Sequence, residues 1–191
     1  MILALSPHTD DTDLGCGGYI YERRHDTTIK VIAFSDCDNP HTSLEFYGAQ
    51  DLLGVSESKV LTLKRRTFHM ERQRILDIML MYDPDIVLVP STGDCHQDHQ
   101  VITQEAIRAF KRRTILGYFL PWNNVTNMKP NGFFELSPLA VDKKVEALSR
   151  YKSQSGRPYM AERHIRGVMA TYGMMAGVHD AEAFEIIRYN L

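Results

Sequence analysis

Four side chains that can bind a metal or move a proton fall within six residues near the start of the chain. They are His8, Asp10, Asp11 and Asp13, in the segment SPHTDDTD. The segment follows a short apolar run and precedes a glycine-rich stretch, so we expect it between a strand and a helix. One aspartate would be enough to cap that helix. Because imidazole and carboxylate groups are ligands of borderline cations such as Zn2+, the pattern favours a metal site over capping alone.

A second cluster, in the segment GDCHQDHQ at residues 93–100, also follows a predicted strand. Its histidines, His96 and His99, are three residues apart and can share one face at a helix start. Catalytic zinc sites commonly have three protein ligands and leave one position open for water. His8, one aspartate of the first cluster and one histidine of the second would supply that set. The remaining carboxylate and imidazole groups could then transfer protons.

Both clusters resemble signatures of one known family. The segment PHTDD (7–11) resembles the (A/P)HPDD signature of the LmbE-like (PIG-L) deacetylases, and HQDH (96–99) resembles their H-x-D-H signature. The segments GCGG (15–18), YKSQ (151–154) and AEAF (181–184) also resemble family segments, so the resemblance covers nearly the whole chain. It implies zinc-dependent hydrolysis of an N-acetyl group, most often on a glucosamine-type sugar or its conjugate.

The resemblance also implies a role for individual residues of the first cluster. The metal ligands would be His8, Asp11 and His99, and Asp10 would be the general base. The same set of nitrogen and oxygen ligands would accept another divalent transition metal, such as iron, cobalt or nickel, as well as zinc.

The H-x-D-H resemblance implies two further catalytic residues. His96, as a cation, would act on the developing oxyanion or on the leaving amine, and Asp98 would orient it. The chain departs from the family pattern at Thr9, where proline is usual, and at Gln97 and Thr12. None of these departures affects a predicted ligand, so they leave the identity of the substrate more open than the chemistry.

Charged and aromatic residues elsewhere are candidates for contact with the substrate. The candidates are Arg65, Arg66, Arg166 and Glu182, although such residues are more often surface or structural charges. Trp122 could form a platform for a sugar ring, but a loop tryptophan more often packs within the loop. Arg65 and Arg66 follow a predicted strand end, where a phosphate or sugar hydroxyl could bind.

The pattern of apolar residues predicts alternating strands and helices. Strands are predicted at residues 2–5, 28–34, 59–63, 85–89 and 115–119. Helices are predicted at residues 14–24, 43–53, 67–82, 98–110, 138–151 and 160–175, and residues 183–189 fit either element. The alternation indicates a Rossmann-like α/β fold, with a mostly parallel sheet flanked by helices, in a single domain spanning residues 1–191. The two clusters follow the strands at 2–5 and 85–89, where such sheets bind ligands.

Composition excludes several classes of protein. The 191 residues are 43% hydrophobic and 24% charged, with a formal net charge of −2, so we expect a soluble protein that does not bind nucleic acid. No apolar stretch is long enough to cross a bilayer, and the first residues lack the basic region of a signal peptide. The three cysteines form no C-x-x-C pair, which suits a reducing cytoplasm. A homo-oligomer is compatible with the sequence.

Three hypotheses about function follow. The first is an N-deacetylase of an amino sugar or a related small molecule, acting with zinc and releasing acetate. The second is a hydrolase of another small amide, such as a thiol conjugate or an N-acylated metabolite. The third is a non-catalytic metal-binding module, which is disfavoured because the predicted base Asp10 and all three predicted ligands are present.

Overall fold

The computed structural model of the chain describes residues 1–126 and 128–190. In this part of the chain, seven strands form one sheet, in the order β3-β2-β1-β4-β5-β7-β6. The strands are β1 (Ile2–Ser6), β2 (Ile29–Ala33), β3 (Glu57–Val60), β4 (Ile86–Pro90), β5 (Thr114–Tyr118), β6 (Gly132–Glu135) and β7 (Ala181–Arg188). The first five are parallel, while β7 is antiparallel to both β5 and β6. The predicted α/β fold with a mostly parallel sheet is confirmed.

Helices cover both faces of the sheet. They are α1 (Asp11–Arg23), α2 (Pro40–Leu53), α3 (Arg72–Met79), α4 (Gln97–Ala109), α5 (Pro138–Leu148) and α6 (Glu162–Ala176). Helices α1, α2 and α5 pack against one another and share one core with one face of the sheet. Helices α3 and α4 pack together over a second core on the other face. Within the described residues, no helix is long and apolar enough to cross a membrane.

The strand order reverses direction between β1 and β4, and both strands are almost wholly buried. Their side-by-side parallel pairing confirms the prediction that these two segments are central strands. Parallel strands that reverse order in this way leave a crevice beyond their carboxyl ends, and ligands bind there. The first cluster follows β1 and the second follows β4, so the fold brings both clusters to that crevice.

Close packing of α1 on the sheet depends on glycine. A Cβ atom added at Gly15 would lie 2.2 Å from Cδ2 of Tyr118 on β5, and one added at Gly18 would lie 2.7 Å from Leu136. The hydroxyl of Tyr118 donates to the carbonyl of Leu5 at 3.0 Å, which links β5 to β1 beneath the helix. The glycine-rich stretch therefore sets the distance of α1 from the sheet.

Several predicted element boundaries differ from those in the structure. Strand β3 begins and ends earlier than the predicted 59–63, and the C-terminal element is the strand β7. The predicted helix at 67–82 is the shorter α3, preceded by a 3-10 turn at Phe68–Met70. The helix starts later than predicted because the residues before it are held at the site. Phe68 is buried beside the ring of His8, and the main-chain N–H of Arg66 donates a hydrogen bond to Asp98. Strand β6 was not predicted.

Candidate metal centre

Three ligand atoms from the two clusters meet at the crevice between β1 and β4. Nδ1 of His8 is 3.0 Å from Oδ2 of Asp11, Nε2 of His99 is 3.2 Å from the same oxygen, and the two nitrogens are 3.3 Å apart. All three residues are buried. Ligand atoms that are each about 2.1 Å from a tetrahedral zinc ion lie about 3.4 Å apart. The triangle formed by these three atoms therefore has the size that a zinc ion requires.

Carboxylates on the far side of both imidazoles fix how the rings are turned. Oδ2 of Asp94 is 2.8 Å from Nδ1 of His99, and Oδ2 of Asp98 is 3.2 Å from Nε2 of His8. If each outer nitrogen donates its proton to its carboxylate, the inner nitrogen offers a lone pair to a cation. Such outer carboxylates typically orient metal-binding histidines. This arrangement fits a resident divalent metal.

The electrostatics of the triangle follow from the shared carboxylate of Asp11. Burial alone would lower the pKa of His8, but the charge of Asp11 and hydrogen bonds to Asp11 and Asp98 raise it to about 9. His99 shows the same balance, with burial opposed by Asp11 and Asp94, and its pKa is raised to about 10. Burial alone would raise the pKa of Asp11, but the charges of His99 and His8 hold it far below its usual range.

Asp10 lies at the N-terminus of α1, beside the triangle, and lines the same small cavity. Burial, and next the negative charge of Asp11, raise the pKa of Asp10 to about 7. A carboxylate whose pKa is close to neutral pH can both accept and return a proton. Asp10 could therefore exchange a proton with a group bound in this cavity.

His96 lies at the rim of the triangle and differs from its neighbours in charge. Its Nδ1 accepts a hydrogen bond from the main-chain N–H of Asp98 at 3.2 Å, so the neutral ring carries its proton on Nε2. Burial, and then the charges of His99 and His8, lower its pKa to about 4. A lowered pKa favours the neutral ring at pH 7, whereas the resemblance implied a cation. A second possible ligand set consists of three histidines. His8, His96 and His99 each have one ring nitrogen within 4.8 Å of a ring nitrogen of the other two.

The contacts of Asp98 differ from those expected. Its carboxylate accepts from His8 and from the main-chain N–H of Arg66 at 2.7 Å, and it is the backbone of Asp98 that holds His96. The expectation that the Asp98 side chain orients His96 does not match this geometry. Its second oxygen, Oδ1, is buried and has no hydrogen-bond partner within the described part of the chain.

The predicted substrate contacts divide into two groups. Arg65 lines the small cavity, and the exposed Arg66 reaches the site through its main-chain N–H. Arg166 forms ion pairs with Asp142 and Glu162, both at 2.8 Å, on an exposed part of α6. It does not line either cavity in the described part of the chain.

Glu182 is buried, and its bonds are internal to the protein. Its carboxylate accepts from the N–H groups of Gly18 and Tyr19 and lies 2.6 Å from Nζ of Lys144. It anchors α1 and α5 to β7 and, among the described residues, is not part of the cavity lining. This packing does not support the expected contact with substrate, which stays a prediction.

Residues from distant segments complete the small cavity, which has a volume of about 140 Å³. Sequence reasoning gave no role to Asn123, Gln154, Arg157 and Tyr159, which line it. Behind it, the hydroxyl of Tyr151 is 2.7 Å from the carbonyl of Thr9 and 2.6 Å from Asp13, and so fixes the backbone beside Asp10. The YKSQ segment was the available signal for Tyr151 and Gln154, while no signal in the sequence pointed to Arg157.

Comparison with known proteins identifies the family of this chain. A model of the PIG-L family, described as GlcNAc-PI de-N-acetylase, matches residues 3–110, more than half of the chain and both clusters. A comparison with curated proteins finds no match.

Solved structures share the fold at low identity. N,N'-diacetylchitobiose deacetylase from Pyrococcus horikoshii is 19% identical, with a TM-score of 0.76 over 97% of this chain and 83% of that one. The zinc-inhibited form of the teicoplanin deacetylase Orf2 is 17% identical, with a TM-score of 0.76 over 96% and 95%. GalB, the 4-carboxy-2-hydroxymuconate hydratase of Pseudomonas putida KT2440, is 15% identical, with a TM-score of 0.78 over 100% and 97%. Because one of these three structures is a hydratase and the other two are deacetylases, the fold alone does not determine the function, which must be argued from the site.

Proposed function

This chain belongs to the PIG-L (LmbE-like) deacetylase family, and we propose that it is a metal-dependent N-deacetylase of a small amino-sugar-type substrate. It would hold Zn2+, or another divalent transition metal, on His8, Asp11 and His99, and release acetate. The observation that carries the proposal is the triangle of ligand atoms 3.0–3.3 Å apart, with a buried carboxylate beside it whose pKa is raised to about 7.

The proposed reaction needs a nucleophile, a general base and a group that stabilises the oxyanion of the tetrahedral intermediate. A divalent cation at the triangle would polarise the amide carbonyl and acidify water. Asp10 takes a proton from the attacking water as the oxygen of that water bonds to the carbonyl carbon of the amide. The same proton then passes to the amine nitrogen as the C–N bond breaks. The products are acetic acid and a primary amine, and the acid ionises to acetate as its proton passes to the amine or to water, so the protons balance without any further cofactor.

His96 would stabilise the tetrahedral oxyanion as a neutral donor rather than as a cation. Its Nδ1 is occupied by the Asp98 N–H, so its Nε2–H is the group free to donate. A donor fixed before the reaction lowers the barrier because it needs no reorganisation as charge develops.

The substrate is proposed to be an N-acetylated amino sugar, free or carrying a small anionic group. Support comes from the small, polar cavity and from two cationic residues on its wall, Arg65 and Arg157. The deacetylase names of the family and of two structural relatives agree with the reaction. The free cysteines Cys16, Cys37 and Cys95 suit a cytoplasmic enzyme, which stays a prediction.

The proposal is tested by acetate release from N-acetylglucosamine-type sugars, measured with zinc-loaded protein. We expect activity that a chelator abolishes and zinc restores. Asp10→Asn, loaded with the same amount of metal, should lose about 10²–10⁴-fold in kcat, the usual contribution of a general acid–base group. Asp77→Asn, on an exposed position of α3, is the matched control.

Two results would count against the proposal. Equal activity of Asp10→Asn and the wild type would assign the proton to another group. Failure on a broad panel of such sugars, with cleavage of acylated amines that lack a sugar, would favour the hydrolase of another small amide.

A further inference from the structure

A second, larger cavity of about 720 Å³ lies next to the candidate metal centre. Its lining comes from α6, from the 3-10 turns Pro121–Asn123 and Pro158–Met160, and from neighbouring residues of α1 and α5. Cavities of about 300–1,000 Å³ are typical of sites for drug-sized ligands. The proposed reaction at the triangle does not account for this cavity.

The wall of the large cavity is mainly apolar, with side chains that include Leu14, Pro121, Met128, Pro158, Ile165 and Val168. The wall also carries polar side chains, among them Arg163, and two of the others are engaged with the protein. Nζ of Lys144 is 2.6 Å from both Glu182 Oε1 and the carbonyl of Leu14, so its methylenes face the space. The hydroxyl of Tyr172 donates to Sδ of Met128 at 3.4 Å. Such a wall favours an apolar occupant.

The large cavity adjoins the small one. Leu14, Trp122 and Tyr159 line both of them. The rings of Trp122 and Tyr159 stack with centroids 4.1 Å apart and planes 12° apart, so they form one shared wall. A group attached to a substrate in the small cavity would therefore reach the large cavity by passing this aromatic pair.

We infer that the substrate carries an extended apolar group, an alkyl chain or an aromatic ring system, and that this group binds in the large cavity. The inference rests on the proposed function and names the substrate class more closely. Since the group removed is a short acetyl, the apolar group belongs to the amine side, as the aglycone of an amino sugar would. The small cavity, at about 140 Å³, has room for little beyond the acetamido group and its ring.

Gly167 on α6 offers a way to fill the large cavity without touching the metal centre. It lines the large cavity, and a Cβ atom added there meets no atom within 4 Å. Leucine at this position would occupy the space that the apolar group needs. Alanine would add one methyl group and serves as the matched control.

The first experiment measures binding, independently of activity. Trp122 is the single tryptophan of the chain, so its fluorescence reports directly on the shared wall. Metal-loaded protein is titrated with the methyl and the octyl glycoside of N-acetylglucosamine, the latter below the concentration at which it forms micelles. We expect the octyl glycoside to bind at least about 10-fold more tightly, because each buried methylene adds about fourfold in affinity. Gly167→Leu should abolish the difference, and Gly167→Ala should retain most of it.

Equal affinity of the two glycosides for the wild type would overturn the inference, as would an octyl preference that survives Gly167→Leu. Tighter binding of N-octanoylglucosamine than of the octyl glycoside would overturn the assignment to the amine side. Unchanged binding of the methyl glycoside by Gly167→Leu shows that this variant folds and keeps the small cavity.

The second experiment, acetate release from the same glycosides, separates this inference from the proposed function. A lower KM for the octyl glycoside, lost in Gly167→Leu, supports both. Octyl-selective binding without acetate release would refute the proposed function and leave the apolar site standing. Acetate release with equal KM for both glycosides would support the function and overturn the apolar site.

Discussion

At the scale of the residue, the centre is a chain of carboxylates and imidazoles in which each ring lies between two acids. Asp11 is shared by the inner nitrogens of His8 and His99, while Asp98 and Asp94 hold the outer nitrogens. The outer acids thus determine which nitrogen is free to bind a cation. Metal affinity should therefore depend on residues that are not themselves ligands.

Asp94→Asn tests that dependence. An amide oxygen accepts a weaker hydrogen bond than a carboxylate, so the His99 ring should be held less firmly. Metal affinity, measured by competition with a chromogenic chelator, should fall by about 10–100-fold. The exposed variant Asp77→Asn should leave affinity unchanged. Unchanged affinity in Asp94→Asn would mean that the Asp94–His99 contact does not support a metal ligand.

Metal binding should also release protons. At pH 7, His8 and His99 hold protons in the metal-free protein, since their pKa values are raised to about 9 and about 10. Ligation requires neutral imidazole nitrogens, so binding of one ion should release about two protons. Calorimetry in buffers of different ionisation enthalpy measures this number. It should fall towards zero as pH rises above both pKa values, and no release at pH 7 would refute the account.

The sequence could identify the residues of the centre because histidine and aspartate are rare together directly after two strands. It could not identify Arg157 or Tyr159, which reach the cavity from a segment far along the chain. It also could not tell that Glu182 forms a buried ion pair with Lys144, because such a pair and a substrate contact look alike in sequence. Which face of the protein a lone charge occupies depends on tertiary packing.

At the scale of the element, the centre depends on how closely α1 approaches the sheet. His8 and Asp10 precede α1 and Asp11 begins it, so a shift of this helix would move one side of the triangle. Gly15 permits the approach because Tyr118 fills the space where a Cβ atom would be. The packing of one glycine is thus linked to the metal geometry.

Gly15→Ala should destabilise the protein by about 1–3 kcal/mol, the usual cost of overpacking a core. Gly48→Ala, in the interior of α2, is the matched control, since its Cβ atom meets no atom within 4 Å. Removing glycine from a helix interior should stabilise the control by about 0.5–1 kcal/mol. Urea denaturation of both variants measures the two changes. Equal and favourable effects would show that α1 is not tightly packed at Gly15.

At the scale of the whole molecule, the centre lies at the carboxyl ends of two of the five parallel strands, β1 and β4. The sheet is extended beyond β5 by β7, which runs antiparallel to its neighbours, and by β6. The parallel part was predictable because strand and helix periods alternate along residues 2–119. Strand β6 was not, since its four residues include no β-branched side chain and it is held by pairing with the distant β7. Such pairing depends on the assembled sheet rather than on the local sequence.

The central claim is that the pairing of β1 with β4 brings together the segments that follow these strands, and that one metal ion binds between the two segments. Anomalous X-ray diffraction at the zinc absorption edge, on crystals of zinc-loaded protein, tests this most directly. The account predicts one peak within about 2.2 Å of His8 Nδ1, Asp11 Oδ2 and His99 Nε2, with His96 outside bonding distance. A peak bound by His8, His96 and His99 without Asp11, or no peak in this crevice, would contradict it.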